Sequence, residues 1–84
     1  MAINFNIPVV IRRTEHGVET RTEAMAMDLL TMYALPVDAD VIEGDEIDNR
    51  LPSGRVRTVR ITNVGVLQSP FGNSLDHTEA HYSE

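Results

Sequence analysis

The run Leu51-Pro52-Ser53-Gly54-Arg55 constrains this chain more than any other feature of its sequence. Pro52 presets φ for the second position of a type I turn, and Gly54 suits the left-handed residue of an adjoining bulge. The flanking segments are therefore expected to fold back as a β-hairpin. With Leu51 opposite Arg55, the register sets Ile47 against Val59 and Glu46 against Arg60. That places an apolar pair on the inner face and an opposite-charge pair on the outer one. Residues 55–66 read as a Val/Ile/Thr-rich strand. A phase change between Val59/Ile61 and Val64/Val66 predicts a bulge near Thr62-Asn63.

The first half yields a second hairpin. Residues 7–14 are rich in Val and Ile and end at Glu15-His16-Gly17, where Gly17 takes a positive φ at little cost. Residues 18–24 then alternate apolar or Thr positions with Glu19, Arg21 and Glu23, the period of a half-buried strand. The stretch around residues 24–34 is open between a bent continuation of that strand and a short helix. Its composition favours helix, yet Met25, Met27, Leu29, Thr31 and Tyr33 recur at strand period. Pro36 closes it either way. Met25, Met27, Leu29, Leu30, Met32 and Leu35 are read as core, although methionine also suits adaptable partner surfaces. Residues 69–73 form a loop and 77–82 a last short strand. The expected fold class is mainly β, a small antiparallel barrel or sandwich, with residues 1–84 as one domain with flexible ends.

At 84 residues a single core buries roughly 60% of the unfolded surface, so a partner or further copies are expected to add stability. The absence of cysteine excludes a disulfide scaffold and a thiolate zinc module. Thirteen acids against seven bases, all arginine, give a net charge of −6, which argues against a basic nucleic-acid binder. The start of the chain carries no signal-peptide pattern, and no apolar run approaches the ~18 residues of a membrane span. The chain is thus expected to be soluble and made in a cytoplasm.

No constellation supports catalysis. His77-Thr78-Glu79-Ala80-His81 departs from the metalloprotease pattern, and on a strand positions four apart lie roughly 13 Å apart and cannot chelate one ion. The two histidines are read as surface residues near a frayed terminus. The acidic run 38–48 is not a calcium loop: with Gly44 at the sixth position, the first, third and twelfth positions become Ala39, Val41 and Arg50. It is read as a solvated loop and strand. Ser74, Asp76 and His77 are sequence neighbours without a triad framework. Arg55 and Arg57 share a strand face that Arg60 does not, and ion pairing is the default reading for all three. No metal, cofactor or catalytic residue is expected.

The order of elements is more informative. Val9-Val10-Ile11-Arg12-Arg13-Thr14 is followed by Ile42-Glu43-Gly44-Asp45-Glu46-Ile47, Leu51-Pro52-Ser53-Gly54-Arg55 and Val59-Arg60-Ile61-Thr62-Asn63-Val64. A Pro-Phe-Gly loop and Leu75-Asp76-His77-Thr78-Glu79-Ala80 come last. This succession resembles the head-to-tail stopper, or head-closure, proteins of long-tailed bacteriophages. The resemblance implies a small β-barrel without enzymatic activity, at the neck of a virion. It implies a homo-oligomeric ring, dodecameric or hexameric, between the portal-adaptor and a tail terminator or tail tube, around DNA that passes without sequence-specific binding. In such a ring, Glu43, Asp45, Glu46 and Asp48 are the channel-facing candidates. Ile3, Phe5, Ile7, Met25, Met27, Arg55, Arg57 and Arg60 are the candidates for contacts with neighbouring subunits or partners. The alternatives are another tail or minor capsid component, such as a tail terminator, and a monomeric SH3-like peptide-binding module.

Overall fold

In the computed structural model, which describes residues 5–70 and 76–83, all regular structure is strand. β1 (Ile7–Glu15), β2 (Val18–Asp28), β3 (Met32–Leu35), β4 (Glu46–Arg50), β5 (Val56–Leu67) and β6 (His77–Ser83) close into an antiparallel barrel. The order around the barrel is β1-β2-β3-β6-β5-β4, with β4 returning to β1 through Val9↔Asn49 to Arg12↔Glu46.

The turns are set locally. His16 (φ 52°) and Gly17 (φ 79°) are both left-handed, the geometry of a two-residue hairpin turn whose twist matches its strands. Between β4 and β5, Leu51 N–H donates to the Arg55 carbonyl (2.7 Å) and Gly54 N–H to the Leu51 carbonyl (2.9 Å). Gly54 takes φ 89°. The register is the expected one: Ile47 pairs with Val59 and Glu46 with Arg60. The bulge also falls where the phase change puts it, between Ile61 and Asn63 on the β6 side of β5.

Residues 24–35 form neither a helix nor one bent strand. β2 runs to Asp28, the chain reverses with Leu29 N–H donating to the Met32 carbonyl (2.9 Å), and β3 returns against it. Leu30 sits at the tip with φ 75°, a conformation costly to a branched side chain. The core reading of this stretch is corrected as well. Of its long apolar side chains only Leu35 is buried in the core; Met25 is exposed, Met27, Leu29 and Met32 are half-buried, and Leu30 is 83% exposed. Ala24 and Ala26 face inward instead. The interior already holds Tyr33 along with Val9, Ile11, Ile47, Val59 and Ile61, and large and small side chains must alternate to fill so narrow a barrel.

Residues 36–45 cross one mouth of the barrel. Val41 enters the core, and Asp45 and Gly44 attach to Ile61: Ile61 N–H donates to the Asp45 carbonyl and Gly44 N–H to the Ile61 carbonyl, both at 2.8 Å. Among the described residues, no buried polar side-chain atom lacks a partner. The predicted loop at 69–73 lies mostly outside the described residues.

Candidate functional site

The inward-facing row of β1 continues past Ile11 to Arg13, and Asp45 immediately precedes β4. Both side chains therefore meet at the mouth crossed by residues 36–45. Arg13 grips Asp45 with both prongs, Nε to Oδ1 and Nη2 to Oδ2 at 2.9 Å each, and Ile42 N–H donates to Asp45 Oδ2 at 2.9 Å. Asp40 completes the cluster at 3.1 Å from Arg13 Nη2. Asp45 is only 1% exposed. The hydrogen bonds it donates to Asp45, then to Asp40, hold the Arg13 guanidinium firmly protonated.

The opposite mouth is closed by a second arginine. Arg57, inward-facing on β5, lies 3.5 Å from Asp28 and stacks over the Tyr82 ring at 5.0 Å from its centroid. Tyr82 also packs on Tyr33, with ring centroids 5.1 Å apart. The Tyr33 hydroxyl accepts from Asn49 Nδ2 at 3.2 Å, and burial raises its pKa above the ordinary value. The tip residue Leu30 is fixed from both sides: its N–H donates to Asp28 Oδ1 (2.9 Å), and its carbonyl accepts from the Tyr82 hydroxyl (2.7 Å). With an Arg–Asp pair at each end and a packed core between, the interior of the barrel is filled.

On the outer face Arg12 joins β1 to β4. Its Nε lies 2.6 Å and its Nη2 2.9 Å from the two oxygens of Asp48, which also accepts from Thr58 Oγ1 at 2.6 Å. These bonds, Arg12's first, draw the Asp48 carboxyl below its ordinary pKa. Arg12 also approaches Glu46 (3.8 Å) and Glu19 (3.4 Å).

This geometry revises the channel-facing candidates. Asp45 is buried by its own chain, and Asp48 is half-buried and held by Arg12. Glu46 is half-buried and turns to Arg12, without an ion pair to its strand partner Arg60. Glu43 alone of the four is a fully exposed acid. The solvated acidic run is therefore corrected: its partners are arginines 27 to 36 residues away in sequence, where no local pattern signals them.

The contact candidates also divide. Ile3 lies outside the described residues, and Phe5 and Ile7 are half-buried, with Ile7 packed against the core. Met25, Arg55 and Arg60 are exposed, whereas Met27 is half-buried and Arg57 is engaged inside the barrel mouth. Met25 joins Pro8, Val10 and Val56 in an outward groove of about 670 Å³, with Arg21 and Arg50 at its rim.

The C-terminal histidines both lie within β6, and of the two only His77 is buried, against its reading as a surface residue. They flank Glu79 along the outer face of β6, His77 Nε2 at 3.1 Å and His81 Nε2 at 3.4 Å from its two oxygens. Among the described residues, no group of three or more such side chains could hold a metal ion. Ser74 of the rejected triad lies outside the described residues; Asp76 accepts from Ser69 N–H at 2.9 Å.

Comparison with protein-family models, with curated proteins and with solved structures finds no match to this chain.

Proposed function

We propose that this protein is a structural, non-enzymatic ring component of a phage head-tail connector, of the stopper type, joining the portal-adaptor to the tail around the DNA. The observation that carries the reading is the placement of the resembling succession. The Glu43-Gly44 turn leads into β4, Leu51–Arg55 makes the β4–β5 turn, 59–64 lies on β5 and 77–80 on β6. These segments thus fall on three adjacent strands of one small closed barrel. The filled interior adds support, because DNA would have to pass outside each barrel, through a channel that only several copies can enclose. Large apolar side chains left on the surface, among them Val18, Ile42, Val66 and Leu67, supply area for such contacts.

Sedimentation with tailless heads of the same phage tests the reading. Stoichiometric binding to the heads, with a ring density at the neck by electron microscopy, is the expected result. A protein that never sediments with heads would defeat it. The outward groove of Pro8, Val10, Met25 and Val56 would then favour a monomeric module that takes an apolar peptide.

A further inference from the structure

The barrel is closed, yet β2 meets its second neighbour over only the last two of its residues. It pairs with β1 over residues 18–26 but with β3 only at Met27 and Asp28. The two-residue turn makes Glu15 and Val18 a hydrogen-bonded pair, so the even-numbered residues of β2 bond to β1. The N–H and C=O groups of Glu19, Arg21, Glu23 and Met25 therefore point to the other edge, where no backbone partner meets them among the described residues. All four residues are exposed. An open edge of this length is a template for another strand.

We propose that the free protein pairs with a second copy of itself through this edge, β2 antiparallel to β2 about a two-fold axis at Thr22. Charge selects the partner and the register. Centring the pairing on Arg21 would set Arg21 against its own copy and Glu19 against Glu23; centring it on Glu23 would oppose two glutamates. Centring it on Thr22 sets Arg21 of each copy against Glu23 of the other, Met25 against Glu19, and Thr22 against Thr22 on the inner face. Thr20 as centre also matches charges, but that register runs off the hairpin at Gly17 and pairs fewer residues. In the single chain Arg21 reaches Glu19 at 3.0 Å, and among the described residues no arginine pairs with Glu23, a partner that the second copy's Arg21 would supply. Beside residues 22–25 lies a groove of about 320 Å³ that Pro36, Asp38, Ala39 and Asp40 also line, so the surroundings of this edge are acidic.

A two-fold contact closes on itself and cannot build a ring, so this dimer is a state of the undocked protein and does not depend on the connector reading. The test combines sedimentation equilibrium of the full chain from about 10 µM to about 1 mM with residue-resolved amide exchange. A monomer–dimer equilibrium is expected, with the amides of residues 19, 21, 23 and 25 gaining protection as concentration rises. Arg21→Glu should weaken the dimer about tenfold or more, since both cross-strand pairs become repulsive. Arg21→Glu combined with Glu23→Arg should restore it, an outcome the Thr20-centred register does not give. A strict monomer at about 1 mM would overturn the proposal. So would failure of the charge swap to restore the dimer. Association into a ring or any other species that leaves those four amides unprotected would overturn it too, while leaving the connector reading intact.

Discussion

Gly54 and Leu30 both hold left-handed backbone conformations, which suit the first and not the second. Gly54 has φ 89°, and an added Cβ would meet nothing within 4 Å, so a substitution there is opposed by the backbone alone. Gly54→Val should therefore lose ~1–2 kcal/mol, read as a fall in Tm of roughly 4–8 °C per kcal/mol for a domain of this size. Leu30 is the converse. It holds φ 75° while 83% exposed, so its side chain contributes little packing to offset the strain. Leu30→Gly should raise stability by up to about 1 kcal/mol, because glycine takes that φ without cost. Removing the hydroxyl in Tyr82→Phe should cost ~1 kcal/mol, through the lost bond to the Leu30 carbonyl. Urea denaturation of the three variants checks all three signs. Asp45 contributes most. Asp45→Ala leaves Arg13, itself mostly buried, without its bidentate partner and should cost ~3 kcal/mol, a large share of the stability of so small a domain.

At the scale of elements, the contact between β1 and β4 that closes the barrel depends on Arg12 and Asp48 as well as on the ladder between them. The folded Asp48 carboxyl titrates below its ordinary value of 3.8. Its contribution to stability is therefore fully present above that value and is lost as pH falls through the lower folded one. Stability should hold between about pH 7 and pH 5 and decline below about pH 4, with a shallower acid decline in Asp48→Asn, measured by urea midpoints across that range. The same pair shows what is legible in sequence. The β4–β5 register follows from Pro52 and Gly54 because a turn and its flanking residues are one local problem. The Arg12–Asp48 and Arg13–Asp45 pairs join strands more than 30 residues apart, and nothing near either acid marks its partner. Residues 24–35 fail for a related reason. The reversal places a leucine where local preference opposes it, and the groups that hold it include Tyr82, 52 residues on. The register and bulge were thus readable, whereas the burial of Asp45 and the tyrosine-backed tip were not.

For the whole molecule, the proposed connector role would set a chain of net charge −6 beside DNA. A wall past which DNA moves works better by repelling phosphate than by gripping it, since arginines would hold the polymer through counterion release. The barrel narrows the acids able to do this. Asp45 is spent on Arg13, and Asp48 and Glu46 are turned towards Arg12; Glu43 stands free on the segment that crosses the barrel mouth. Charge reversal should therefore separate two effects. Glu43→Arg removes no side-chain hydrogen bond or ion pair among the described residues and should leave the Tm unchanged within about 2 °C. If Glu43 lines the channel, the same variant should still assemble on tailless heads but release DNA more slowly from completed particles, with the slowing relieved by added salt. Asp45→Arg should instead fail before assembly, because it opposes Arg13 with a second buried cation. Ejection at the normal rate from particles carrying Glu43→Arg would remove Glu43 from the channel wall, and with it the one exposed acid that this fold offers from the 43–48 run.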